Sequence, residues 1–429
     1  MTKNRETIKI KGARVIDPGN IDRVADILIE DGRIKKIGES IPDKDFSKVI
    51  DATGKLATPG LIDMHTHLRE PGHEYKETIE SGCRAAAAGG FATICCMPNT
   101  DPVNDNCETT EFIIQKAAKA GFARALPVAA ITVGLAGKNL TEFYNLKKSG
   151  AVAVSDDGMP ISNAMLMRKA LEYAKGANLF LISHCEEIDL AGEGVMNEGP
   201  MATKMGLSGI PNAAESVMVE RDIALSELTG AHVHIAHVSA SESVRAIREA
   251  KKRGVNVTAE TAPHYFTLTD KDVGEYDTNA KMNPPLRSKA DRRAIREGLS
   301  DNTIDVIATD HAPHSSIEKK IEFDRAANGI TGLETSLPLS LALVRKNILT
   351  MDGLIRKMSK NPAKILKIKN DLIPGALADI TIIDPEKKFR VDPDNFFSLS
   401  KNTPFSGMSL KGKAVLTMAG GKIIFAEPA

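Results

Sequence analysis

The sequence predicts an α/β protein, a (β/α)8 TIM-type barrel carrying a small β-sandwich domain formed from both chain ends. Three observations predict it. Apolar strand-like runs occur at about 56–68, 91–98, 123–132, 151–157, 179–185, 232–239, 255–263 and 305–310, the count a closed parallel barrel needs. Segments rich in Ala, Glu, Lys and Leu, such as 76–88, 108–120, 213–228 and 241–253, separate many of them as helices. Both ends of the chain read as β-structure, so 1–55 and 370–429 are expected to meet as the sandwich, leaving 56–369 to the barrel. A doubly wound open sheet is the competitor, but no Gly-x-Gly-x-x-Gly turn follows the early strands and no Walker-type loop is present.

Bulk properties remove whole classes of function. Lys plus Arg equals Asp plus Glu, 56 each, so no nucleic-acid or anionic-membrane partner is expected. No apolar run approaches the ~20 residues of a membrane span. The start, Met-Thr-Lys-Asn-Arg-Glu, has no apolar core, so no signal peptide is expected. Five cysteines at 83, 95, 96, 107 and 185 lack paired spacing and read as reduced thiols of a cytoplasmic protein.

Taken in order, Ile8 and Ile10 alternate with lysines, and Asp26-Ile-Leu-Ile-Glu30 runs into Asp31-Gly32, a hairpin signal. The first barrel strand, within Gly60–Gly72, starts apolar and ends in His65, His67 and Arg69 before Pro71-Gly72. Alternation sends positions 65, 67 and 69 to one face, and two imidazoles there form a ready pair of metal ligands. Strand two ends in Met97-Pro-Asn99, four in Ser155-Asp-Asp157, five in Ser183-His184-Cys-Glu186, six in Ala236-His237. Strand eight ends in Ala308-Thr-Asp310-His-Ala-Pro-His314. In a barrel these ends share one rim, where barrel enzymes keep their active sites. All ten histidines fall between 65 and 314, none in the sandwich. Beyond the barrel, Ala378–Asp384 reads as a strand and 414–425 as a hairpin about Gly420-Gly421.

Alternation also chooses between neighbours. His237 has the opposite parity to His232 and His234, so if His237 faces the axis the other two face the helix layer and are structural. In 151–157 the valines share parity with Asp156, which makes Asp157 the inward carboxylate. His73 and His264 receive no role, and the cysteines read as core. The candidate inner shell is His65, His67, Asp157, His184, His237 and Asp310. That exceeds one tetrahedral zinc site and suits two bridged metals, or one metal with spare residues. Such groups crowded together without a cation would be costly to desolvate.

The pattern resembles the bacterial long-chain dihydroorotases of the amidohydrolase superfamily. The motifs that carry it are 60–72, Met97–Thr100, Ser155–Gly158, Ser183–Glu186, Lys281–Arg287 and Ala308–His314, with Asn402–Gly407 near the end. The resemblance implies zinc, one or two ions with two favoured. His65, His67 and Asp310 would hold one, His184 and His237 the other, and Asp157 would bridge them. His67, Arg69, Asn99, Asn283, His314, Asn328 and Gly329 would hold substrate. Related hydantoinases bridge their metals with a carboxylated lysine, which 151–157 lacks. The family usually reads Pro-Phe-Gly where this chain has Ala327-Asn328-Gly329, a departure that spares backbone contacts but not ring contacts.

The activity implied is reversible cyclisation of N-carbamoyl-L-aspartate to dihydroorotate in pyrimidine biosynthesis. Asp310 would act as base then acid, with Arg69 and Asn99 on the substrate carboxylate. Segment 311–330, with little apolar pattern, is expected to be a mobile lid. Other functions within reach are an allantoinase- or dihydropyrimidinase-type cyclic amidohydrolase, and a non-catalytic partner of aspartate carbamoyltransferase. A homodimer and a complex with that transcarbamoylase are the assemblies the resemblance leaves open.

Overall fold

The structure, a computed structural model, describes residues 6–42 and 46–428. The alternating isoleucines at the start pair as expected. Strands β1 (Thr7–Asp17) and β2 (Ile21–Glu30) run antiparallel, with Ile8 opposite Ile29 and Ile10 opposite Ile27. Asp31 and Gly32 then turn the chain into β3 (Arg33–Gly38) at φ 49° and 76°. Both are left-handed, which lets a two-residue turn follow the right-handed twist of the strands.

Two short strands follow, β4 (Lys48–Asp51) and β5 (Leu56–Pro59), and both pair parallel with β1. The expected first barrel strand, 56–68, is therefore two strands. β5 belongs to the end sheet and β6 (Leu61–Thr66) to the barrel. The break falls at Gly60, where a Cβ would lie 2.6 Å from the Cβ of Ala92. Only glycine lets the chain pass there.

The barrel continues with β7 (Phe91–Cys96), β8 (Arg124–Ala129), β9 (Ala153–Ser155) and β10 (Leu181–Ser183). A short parallel pair, β11 (Met196–Asn197) with β12 (Gly209–Ile210), lies outside it. Then come β13 (Val233–Ile235), β14 (Val257–Thr261) and β15 (Val306–Ile307). The eight barrel strands pair in parallel from β6 to β15 in chain order. A bridge between Thr66 and His311 joins the two edges. Ile62, Met64, Cys95, Met97, Val128, Phe180, Ile182, Val306 and Ala308 meet inside the barrel, and Ala363, Ile365 and Leu366 pack against them. Helices Ile79–Gly89, Cys107–Ala120, Asn212–Thr229 and Ser241–Lys252 form where the sequence places them.

The last strands return to the first sheet. β16 (Ile380–Arg390) pairs antiparallel with β5, followed by β17 (Ser409–Ala419) and β18 (Lys422–Ala426). The sheet order is β18-β17-β16-β5-β1-β2-β3, with β4 on β1, so both chain ends share one sheet. Ile8, Ile10, Ile27, Ile380, Ile382 and Met418 belong to a core separate from the barrel's. No helix among the described residues is long and apolar enough to cross a membrane.

Candidate metal centre and substrate site

Every residue of the expected inner shell reaches one buried point at the carboxyl ends of the strands. His65 lies in β6 and His67 just beyond it. Asp157, His184, His237 and Asp310 each follow the last residue of their strand by one to three positions. Burial is nearly complete: His65 is 0% exposed and the least buried, His184 and Asp310, only 6%. His65 Nε2 lies 3.4 Å from Asp157 Oδ1 and 3.6 Å from Asp310 Oδ1. His67 Nε2 lies 3.5 Å from Asp157 Oδ2 and 3.4 Å from Asp310 Oδ1. His237 Nε2 and His184 Nδ1 lie 3.5 and 3.7 Å from Asp157 Oδ1. Zinc bonds of about 2.0–2.1 Å at tetrahedral angles give ligand–ligand edges of about 3.3 Å. The donor separations are those of coordination polyhedra.

Two donor groups converge closely enough to hold an ion, His65 with His67 and Asp310, and His65 with Asp157 and His237. His184 adjoins the second, its Nδ1 2.8 Å from His237 Nε2. His65 Nε2 and Asp157 Oδ1 are buried without a hydrogen-bond partner. Nδ1 of His65 is 2.7 Å from Glu260 Oε1, so it carries the proton and Nε2 turns a lone pair toward two carboxylates. Asn99 Oδ1, 2.8 Å from Nδ1 of His67, fixes that ring in the same way. Lone pairs facing carboxylates fit a cation.

Strand alternation holds only while the strand lasts. His232 and His234 do not face the helix layer as expected. Both share Thr258 Oγ1 and pack on Phe180 in the barrel interior, and His234 Nε2 lies 3.2 Å from Glu260 Oε2. His237 can still enter the site because β13 ends at Ile235 and His237 takes φ 33°. Asp310, at φ 49°, leaves β15 in the same left-handed fashion. Such backbone in non-glycine residues is uncommon and concentrates at working sites. A register shift between Asp63 and Thr66 likewise lets Met64 and His65 both reach the interior. The choice of Asp157 over Asp156 agrees with the geometry: Asp156 instead accepts the amides of Ile131 and Thr132.

Arg69 sits beside this centre, buried, at φ 63° beyond the end of β6. It donates Nε to Pro313 O at 3.2 Å, and its NH2 lies 3.3 Å from His314 Nε2. Glu70 is engaged elsewhere, with Lys116 and the amide of Ile79. Among the described residues no carboxylate is within ion-pair distance of Arg69. His314 Nε2 is 2.8 Å from Asn328 O, and Gly329, at φ 129°, packs where a Cβ would meet Ala312 Cβ at 2.6 Å. Burial, with Arg69, Lys76 and Lys319 nearby, pushes His314 down to about 2, so the imidazole is neutral. Asn283 Nδ2 donates to both oxygens of Glu186, which lies 3.3 Å from His184 Nε2.

Similar proteins fit this arrangement. A family profile described as "Dihydro-orotase-like" matches residues 54–243. The chain is 58% identical to a dihydroorotase of Desulforapulum autotrophicum over 97% of its own length and 99% of that protein's. It is 55% identical to a dihydroorotase of Syntrophus aciditrophicus, over 98% and 99%. The chain belongs to the dihydroorotase family. Among solved structures it resembles an L-hydantoinase (dihydropyrimidinase) from Arthrobacter aurescens, with TM-score 0.88 and 26% identity over 98% of this chain and 96% of that one. As a dihydroorotase it is an enzyme, a cyclic amidohydrolase acting on a small molecule.

Three acids of this dihydroorotase, buried Glu260 and Glu77 and half-buried Glu186, were given no role from its sequence. Glu260 links His65 to His234, Glu186 links His184 to Asn283, and Glu77 lies 3.2 Å from His311 Nε2. Glu260 carried a weak signal, since an acid inside a barrel strand such as Val257–Thr261 must be paired if it is buried. Burial alone would raise its pKa, but hydrogen bonds from His234 and His65 hold it down at about 2. It therefore stays ionised and would strengthen His65 as a metal ligand. Glu260→Gln is expected to weaken metal affinity about 10–100-fold, read by competition with a chelator.

Proposed function

We propose that this family member hydrolyses and forms dihydroorotate at a centre of two zinc ions. His65, His67 and Asp310 would hold one, His184 and His237 the other, and Asp157 would lie between them. When bound, such metals supply Lewis acidity, acidifying a water and polarising the ring amide carbonyl. The protein's own groups do the rest. Arg69 binds the ring carboxylate by a charge-assisted pair, and neutral His314 and the 328–329 backbone border the same place. Asp310 takes the proton of the attacking water and returns it to the departing ring nitrogen. Asn99 holds the His67 ring, so it serves the substrate through the ligand it orients.

One observation carries the choice of substrate: Arg69 is a buried cation beside the centre with no acid paired to it among the described residues. We assign 1–55 and 370–429, together with β5, to a sheet domain and the rest of 56–369 to the barrel. We place the enzyme in the cytoplasm, in keeping with its free cysteines, with a second copy or aspartate carbamoyltransferase as candidate partners.

The test is the end-point composition with pH. Ring closure merges a carboxylate and a ureido nitrogen into a neutral imide and consumes one proton. The ratio of dihydroorotate to carbamoyl aspartate should fall about tenfold per pH unit, 1.36 kcal/mol each. An enzyme-dependent end point that does not move with pH means another reaction is being followed.

A further inference from the structure

Residues 396–402 lie between β16 and β17, far in sequence from the barrel loops, yet they line its rim. Glu334 accepts the amides of Phe397 and Ser398, Glu77 that of Leu399, and Ser400 Oγ donates to Lys76 O. The run ends at Asn402, which is 5% exposed.

Every polar atom of the Asn402 side chain is used. Oδ1 accepts the amide of His314 at 3.1 Å, and Nδ2 donates to Ala312 O at 3.3 Å and Gly329 O at 3.0 Å. Its main-chain oxygen accepts Thr331 N at 2.8 Å and Thr331 Oγ1 at 3.3 Å. The amide orientation is forced: reversed, NH2 would face an N–H and the oxygen would face two carbonyls.

We propose that Asn402 is a positioning residue for the carboxylate-binding half of the site. Its one amide spans the two loops that border Arg69. One loop supplies His314. The other supplies Asn328 O, which takes His314 Nε2, and Gly329 O, which Lys319 Nζ also reaches at 3.1 Å. Without the amide, the Ala312 carbonyl and the His314 N–H lose their partner and Gly329 O keeps only Lys319 Nζ, so the loops must shift to satisfy them. That shift displaces His314 from Arg69 while leaving the metal ligands in place. The inference rests on the dihydroorotase reading, which the wild-type assay tests separately.

The experiment compares Asn402→Ala and Asn402→Asp with wild type as metal-loaded enzyme. Asp keeps size and the acceptor toward His314 but sets an oxygen against Ala312 O and Gly329 O. Each variant is expected to raise KM for dihydroorotate about 10–100-fold, the loss of one to two buried hydrogen bonds, with little change in kcat or metal content. In an Arg69→Met background Asn402→Ala should add little, because both act on one contact. A merely structural tie would lower the melting temperature and leave KM alone. Should both variants be insoluble, Thr331→Val removes only the hydroxyl bond to Asn402 and is expected to raise KM about threefold. Unchanged KM in the folded variants, lost metal, or full additivity with Arg69→Met would overturn the proposal.

Discussion

Asp310→Asn is expected to lose about 10²–10⁴ in turnover, in ring opening and ring closure alike, while the protein keeps its fold. The substitution is chosen for the backbone as well as the chemistry. Asp310 sits at φ 49°, in the left-handed region that Asn tolerates better than most residues. Alanine there would mix catalytic loss with strain. The amide keeps an oxygen that can face His67 and His65 but cannot carry a proton from water to the ring nitrogen. Asp310 is also one of the donors gathered around His65 and His67, so metal content must be measured with the rate. Normal metal with near-normal rates in both directions would remove Asp310 from proton transfer. Loss of rate together with metal would make it a ligand first.

How much of this was legible beforehand depended on where each residue stood relative to a strand end. The barrel was readable because eight apolar runs and the helices between them are local features. The convergence of His65, His67, Asp157, His184, His237 and Asp310 was readable because His and Asp at the ends of apolar runs have few uses other than a rim site. The orientation of His232 and His234 was not, because alternation was carried from β13 through to His237, two residues after the strand stops. Arg69 shows the same limit. It lies beside the site as expected, but it arrives through a left-handed turn at φ 63° and not along a strand face. The division of 56–68 into two strands was hidden too, since Leu56–Pro59 is as apolar as the barrel strand after it. Asn402 was beyond reach as an orienting group. Its partners His314 and Gly329 are 88 and 73 residues away, and no local pattern records such a contact. The expected lid shows another side of this. Segment 311–330 is polar, yet Lys319 Nζ ties it down through the carbonyls of Lys281, Ala327 and Gly329. A polar composition describes a loop that lacks a core, not one that lacks anchors.

Arg69→Met is expected to separate stability from function in opposite directions. Burial pushes the Arg69 guanidinium down to about 10, the mark of a cation that has lost water without gaining a full counter-ion. The groups beside it, Pro313 O, which accepts its Nε–H, and His314, are neutral. Asp310 and Asp157 act on it from beyond ion-pair distance, and their charge is shared with the histidines around them. Methionine keeps the apolar stem and removes the charge, so the melting temperature should hold or rise. Dihydroorotate should lose about 2–4 kcal/mol in kcat/KM, some 30- to 1,000-fold, because charge-assisted hydrogen bonds to its carboxylate disappear. Metal content should not change, as Arg69 holds no ligand. Weak turnover of dihydrouracil, a ring without that carboxylate, should survive, so the preference between the two rings collapses. Equal loss on both rings, or no loss on either, would show that Arg69 shapes the loop without binding the carboxylate.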